Sequence, residues 1–196
     1  KWVIFSTLFS RVHEKQREEG LFYALWADID DAENLTFDSI VKQSDSFLPS
    51  FFAYTSSSAV ESYQKSRIIV PLNEPIIGKK FIRYQKILND KLEKLNIPTD
   101  RATQRAGQLC YLPNKGEYYQ HYIKDGSFLS PNDWKIEEQY EIDREQEEEK
   151  KRIERKEQSR IKALKYINSG IKSPIDAFND AHNLPYVLES YGYLKK

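Results

Sequence analysis

Cysteine is nearly missing from this chain: Cys110 is the only one in 196 residues, and the three histidines, His13, His121 and His182, lie far apart. One thiol excludes a disulfide framework. With those histidines it also excludes a zinc site built from this chain's Cys and His alone. Such cysteine usage fits a reducing, intracellular setting, and a cytoplasmic location is expected. Methionine is absent altogether, position 1 included, so the sequence is expected to be a piece of a longer protein. Long apolar runs are lacking too. The opening KWVIFSTLFS is short, gives way to RVHEKQREE and has no small-residue cleavage site, so neither a signal peptide nor a membrane span is expected. Net charge is the last absence, since 30 basic and 30 acidic residues cancel. The whole-chain balance argues neither for nor against a polyanionic partner, and local charge has to decide.

What the chain does contain is short runs of aromatic and β-branched residues. LFYALWAD (21–28), FLPSFFAYT (47–55) and RIIVPL (67–72) are too short for typical helices and read as buried strands, neighbours in one sheet. Between the first two, LTFDSIVKQSDSF (35–47) sets Phe37, Ile40 and Val41 at helical spacing, which gives strand, helix, strand. In KKFIRYQKILNDKLEKL (79–95), Phe81, Ile82, Ile87, Leu88, Leu92 and Leu95 form one stripe and predict a second helix, with Pro98 marking its end. GQLCYLPN (107–114) is a fourth strand candidate, and NKGEYYQHYIKDG (114–126) a candidate hairpin.

From Trp134 onward the text is nearly all charge. Glu147 with Lys151 and Glu148 with Arg152 stand at the i,i+4 spacing of a solvated helix, while the apolar heptads of a coiled coil are missing. After Gly170, a Ser173-Pro174 helix start and an apolar face through Ile175, Phe178, Leu184, Val187 and Leu188 predict the first helices of another module. The expected fold class is α+β: a mixed sheet flanked by helices in 1–134, a charged helical linker in 135–168, and a helical C-terminal module beginning in 169–196.

Three segments carry chemistry. The strand LFYALWADIDD ends in carboxylates, and Asp28 and Asp30, two apart, point to one face of an extended chain while Asp31 points to the other. Hard cations such as Mg²⁺ take oxygen ligands, typically one or two carboxylates shared with substrate phosphates. The same D-x-D also reads as a turn or helix-capping cluster. In YTSSSAVESYQKSRIIVPL (54–72), Ser56, Ser57 and Ser58 form a polar turn, and Lys65 and Arg67, again two apart, project together. Hydroxyls, turn N–H groups and paired cations suit phosphate oxygens, although a plain surface turn fits too. Asp100 follows Pro98 and either joins the carboxylates from a neighbouring element or caps a helical turn, with Arg101 and Arg105 beside it. Across 61–110, ten Lys/Arg (65, 67, 79, 80, 83, 86, 91, 94, 101, 105) meet five acids (61, 74, 90, 93, 100), so this stretch is the candidate nucleic-acid face.

The order of these parts resembles the archaeo-eukaryotic primase superfamily, specifically the primase-polymerase domains of phage, plasmid and mobile-element replication proteins. There, an h-D-h-D motif, an S-x-H motif and a later h-D motif build one site. The matching positions here are Asp28 and Asp30, Ser56–Ser58, and Asp100, within about residues 21–115. The C-terminal DAFNDAHNLPYVLESYGY is similar to the segment that leads such domains toward a helicase module.

The resemblance implies nucleotidyl transfer by domain 1–134, with Mg²⁺ or Mn²⁺ held by Asp28, Asp30 and Asp100. Nucleoside triphosphate would meet Ser56, Ser57, Ser58, Lys65 and Arg67. A single-stranded DNA template would cross Lys79, Lys80, Arg83, Arg101 and Arg105, with Tyr63 and Tyr84 available for base stacking, although core or surface packing is the better reading of either tyrosine. The histidine of S-x-H is replaced by Ser58 or Ala59, depending on alignment. That departure keeps open a second reading, a degenerate primase-fold module that binds origin DNA or a helicase. A rolling-circle nuclease would need a His-x-His pair, which this sequence does not have.

Overall fold

A computed structural model describes residues 1–30 and 35–168 and position 175, with backbone alone for 165–168. Asp31 and, apart from Ile175, the expected C-terminal module lie outside the described residues. The elements in chain order are β1 (Trp2–Val3), α1 (His13–Glu19), β2 (Leu21–Ile29), α2 (Phe37–Asp45), β3 (Phe51–Thr55), β4 (Ser66–Ile77), α3 (Gly78–Lys94), a 3₁₀ turn (Arg101–Gln104), β5 (Cys110–Tyr111), β6 (His121–Lys124), a second 3₁₀ turn (Pro131–Trp134) and α4 (Lys135–Asn168). The architecture is α+β, as the sequence implies. Among the described residues no helix is long and apolar enough to cross a membrane.

The main sheet has the order β2-β4-β3-β6, and every pairing between its strands is antiparallel rather than mixed. β2 and β3 thus run in the same direction on either side of β4, joined through α2, which makes a split β-α-β unit. Leu25, Ala27, Ile29, Ala53, Ile68 and Val70 are buried in one core with Phe37 and Ile40 of α2 and Phe81, Tyr84, Leu88 and Leu92 of α3. Both helices therefore cover the same face of the sheet. Phe22 stacks on Phe81, with ring centroids 3.9 Å apart.

Two strand expectations are corrected. Of GQLCYLPN only Cys110–Tyr111 is a strand, and it pairs with β1 as a separate ribbon instead of joining the main sheet. NKGEYYQHYIKDG is not a hairpin: its single strand β6 completes the edge of β3, with Tyr54 opposite His121 and Phe52 opposite Ile123.

β2 is the other edge strand, and its outward main-chain groups find partners at four residues along its length, Leu21, Tyr23, Trp26 and Asp28. A bulge at Tyr23 shifts their alternation from Leu21 and Tyr23 to Trp26 and Asp28. Thr7 N–H donates to Leu21 O at 3.0 Å and Tyr23 N–H to Phe5 O at 2.9 Å. The fully buried Gln85 of α3 then takes over, accepting from Trp26 N–H at 3.1 Å and donating Nε2–H to Trp26 O. Asp100 N–H closes the row on Asp28 O at 2.8 Å.

The chain splits into two compact units, Lys1–Glu141 and Ile142–Lys196. Within the first, the opening turns of α4 are tied to α3 by Lys91–Glu137 at 2.5 Å, Lys80–Glu138 at 3.3 Å and Lys86–Glu141 at 2.8 Å. The described part of the second is solvated helix. Lys151 pairs with Glu147 at 2.6 Å as expected, whereas Arg152 takes Glu149 at 2.7 Å instead of Glu148, which stands 3.7 Å from Arg144.

Gln85→Leu keeps the bulk of the side chain but strips two buried main-chain groups of their partner, at about 1–3 kcal/mol each. Urea unfolding of this variant is expected to show a loss of roughly 2–4 kcal/mol. A loss within about 0.5 kcal/mol, the range of a neutral substitution, would show that Gln85 does not secure this edge.

Candidate functional site

The face of the sheet away from α2 and α3 carries the polar residues singled out in the sequence. Directly opposed residues of antiparallel strands share a face, and residues two apart along a strand do too. Asp28 stands opposite Arg67, Arg67 opposite Tyr54, and Tyr54 opposite His121. One step further, Lys65 Nζ lies 3.6 Å from Asp30 Oδ1, and Ser56 N–H donates to Lys65 O at 2.8 Å. Two rows result: Asp28, Arg67 and Tyr54, then Asp30, Lys65 and Ser56. Ser58 joins the second row, its Oγ 3.1 Å from that of Ser56. Ser57 is exposed, and its carbonyl is packed closely against Gly116, where an added Cβ would stand only 2.4 Å from Ser57 O.

Asp100 arrives from α3. Leu92 and Glu93 carbonyls accept from Ile97 and Asn96 N–H at 3.0 and 2.9 Å, and Asn96 takes the left-handed φ of 60° that such a helix end requires. This tight turn sends Pro98 and Thr99 back along the β2 edge, so that Asp100 N–H meets Asp28 O. Asp100 Oδ1 caps the 3₁₀ turn by accepting from Ala102 N–H at 2.8 Å, so the capping role holds whatever else the residue does. Asp30, Pro98, Thr99, Asp100 and Arg101 line one cavity of about 350 Å³.

The two rows differ in strength. Arg67 holds Asp28 by one hydrogen bond and one ion contact: Nη2 donates to Oδ2 at 3.1 Å, while Nε stands 3.1 Å from Oδ1 without hydrogen-bond geometry, both side chains being less than 15% exposed. Breaking a buried pair of this kind by removing one partner costs about 3–5 kcal/mol. Lys65 and Asp30 are 29% and 48% exposed at 3.6 Å, a pair worth at most about 1 kcal/mol and readily exchanged. Burial, the largest influence, raises the Asp28 carboxyl above the ordinary carboxylate range; the Arg67 guanidinium opposes the rise, and the charges of Asp30 and Asp100 add to it.

A lid of ribbon sits on the first row. Tyr54 donates its hydroxyl to Tyr111 O at 2.5 Å and lies 3.6 Å from Cys110 Sγ, while the Arg67 guanidinium stands 5.8 Å from the centre of the Tyr111 ring. This explains why Tyr54 is fully buried on a face that is otherwise partly open. Tyr54 was missed in the sequence reading. It lies two residues before Ser56 in the same alternation, so the register of β3 alone would have placed it.

The cations expected to meet DNA are not grouped with the aspartates. Lys79 and Lys80 lie on α3, behind the sheet, and pair with Glu18 at 2.6 Å and Glu138 at 3.3 Å. Arg83 is on the same helix. Arg101 does border the Asp30–Asp100 cavity but binds Asp90 Oδ1 at 2.6 Å and Glu93. Arg105 is exposed beyond the 3₁₀ turn. Of the two tyrosines available for base stacking, Tyr84 serves core packing instead: it is fully buried and its hydroxyl donates to Pro131 O, whereas Tyr63 is half-buried with Lys65 Nζ 5.2 Å from its ring centre.

As a cation site the donor chemistry fits. Asp30 and Asp100 offer hard oxygens to one cavity, and Mg²⁺ needs only one or two carboxylates beside substrate phosphates. Among the described residues no three His, Cys, Asp or Glu side chains group as metal ligands, and Asp28 is paired with Arg67.

Burial pushes the Cys110 thiol up to about 11. The thiolate is the reactive form, so at pH 8 only about one molecule in a thousand carries it. Ellman's reagent is expected to leave native Cys110 unmodified for as long as the ribbon stays closed and to react at once in denaturant. Prompt reaction of the native protein would show that the cover over Tyr54 is open. Compared with known proteins, the chain matches no family model, no curated protein and no solved structure.

Proposed function

We propose that the chain carries a metal-dependent nucleotidyl-transfer site of the primase-polymerase kind, acting in DNA replication of a phage, plasmid or integrated mobile element. The observation that carries this reading is the pair of rows on one sheet face, with Asp100 tied by its main chain to Asp28. Carboxylates, a lysine and a serine turn, drawn from three separate sequence segments, are side by side there.

Asp30 and Asp100, which line one cavity, would hold Mg²⁺ or Mn²⁺. When bound, the cation would supply charge neutralisation at the phosphates and lower the pKa of a coordinated hydroxyl. Lys65 exchanges its weak contact with Asp30 for the triphosphate, and the hydroxyls of Ser56 and Ser58 with the exposed turn at Ser57 orient its oxygens. In the transfer itself a 3′-hydroxyl oxygen forms a bond to the α-phosphorus, the bond to pyrophosphate breaks, and the hydroxyl proton leaves to solvent. No protein nucleophile is needed.

Template would be single-stranded DNA held mainly through phosphates, so its binding weakens as salt rises. A helicase module in the full-length protein is the proposed partner, and cytoplasm the proposed location. The replaced S-x-H histidine favours a second reading, a module that binds origin DNA or a helicase without synthesis.

Asp30→Asn removes one charge from the cavity and leaves the core untouched. Primer synthesis on single-stranded DNA with Mn²⁺ is expected to fall at least about a hundredfold, the scale of losing one transition-state charge stabiliser, with unchanged circular dichroism. Full synthesis by Asp30→Asn would remove the residue from the mechanism. DNA binding by a wild-type chain that makes no product would select the second reading.

A further inference from the structure

The two acids of D-x-D are chemically unlike in the folded chain. Asp28 has both carboxylate oxygens within 3.1 Å of Arg67, on side chains that are nearly covered. Asp30 has one exposed oxygen contact, to Lys65 at 3.6 Å, and faces the cavity that Asp100 also lines. Asp100 uses Oδ1 on Ala102 N–H, and that hydrogen bond leaves its second oxygen uncommitted. The link between Asp28 and Asp100 is not through side chains but through the main chain, where Asp28 O accepts from Asp100 N–H at 2.8 Å.

We infer that Asp28 is a positioning residue and not a cation ligand: Arg67 immobilises it, its carbonyl sets the place of Asp100, and divalent-cation affinity resides in Asp30 and Asp100. This rests on the nucleotidyl-transfer reading above and deepens it. Arg67 then has a different task from Lys65. It is committed to the sheet, while Lys65 is the cation free to meet phosphate.

The division of labour has a consequence that a purely structural role for the pair would not produce. Arg67→Gln releases the Asp28 carboxylate beside two existing ligands, so cation binding should tighten, and Asp28→Asn added to that variant should cancel the gain.

The experiment is titration of Mn²⁺ alone into the purified chain, followed by the free-ion electron paramagnetic resonance signal. Affinity is expected to drop at least about tenfold in Asp30→Asn and in Asp100→Asn, because each removes a charged ligand. In Asp28→Asn, which keeps the main-chain bond and an acceptor for Arg67, it is expected to change less than about threefold, and in Arg67→Gln to rise about tenfold. Loss of binding in a folded Asp28→Asn, with wild type binding normally, overturns the inference and leaves the nucleotidyl-transfer reading standing. Absence of Mn²⁺ binding in wild type overturns both. Should Asp28→Asn or Arg67→Gln not fold, ¹³C carboxyl resonances of the wild-type chain decide during Mg²⁺ addition. Shifts at Asp30 and Asp100 with Asp28 unmoved support the inference, and a matching shift at Asp28 overturns it.

Discussion

The free edge of β2 is the constraint on which the rest of the molecule depends. An edge strand presents main-chain N–H and C=O groups that must be met, and burial makes an unmet group costly. Here the edge is covered in three steps, by residues 5–7, by the side chain of Gln85, and by the N–H of Asp100. Each step fixes something beyond itself. The first anchors the N-terminal segment whose β1 joins the ribbon over Tyr54. The second locks α3 in register with β2. The third brings a carboxylate from sequence position 100 to the end of the strand that bears Asp28 and Asp30. Had a further strand occupied this edge, Asp100 would have no place there.

The antiparallel ladder supplies the other half of the arrangement. Because the register aligns Asp28 with Arg67 and Asp30 beside Lys65, the two D-x-D acids and the two K-x-R cations stand in matched rows on the side of the sheet away from the helices. Burial then separates the rows. The inner pair is shielded by the β1–β5 ribbon and behaves as a fixed strut, while the outer pair is solvated, weak and exchangeable. A fixed row behind an exchangeable one is what a charged substrate site needs, since rigidity places the groups and weak native pairing lets a phosphate or cation replace them.

Much of this was legible from residue patterns, for identifiable reasons. The short apolar runs LFYALWAD and RIIVPL placed the edge strand β2 and the central strand β4, and the stripe from Phe81 to Leu92 placed α3, because each buries an apolar face. The alternation of side chains along a strand put Asp28 with Asp30 and Lys65 with Arg67 on common faces, where the structure has them. What failed depended on long-range pairing. GQLCYLPN and the segment around His121 have strand-like composition, but their partners, β1 and β3, lie 67 to 109 positions away and no local signal names them. Gln85 was passed over because a glutamine in an amphipathic helix reads as a solvated position. Likewise, the cations of α3 make a basic stretch in sequence, yet Glu18, Glu137, Glu138 and Glu141 from other helices lie across them in space. Local charge counts do not see neighbours brought by the fold.

The central claim is that the end of β2, the start of β4 and the turn after β3 form one cation-dependent triphosphate site. The most direct test is paramagnetic broadening of backbone amide resonances by Mn²⁺ in the presence of a non-hydrolysable nucleoside triphosphate. Broadening that centres on Asp30, Ser57, Lys65 and Asp100, and that needs the triphosphate for full effect, is the predicted result. Broadening confined to the acidic run Glu147–Glu149 of α4, indifferent to triphosphate, would contradict the account.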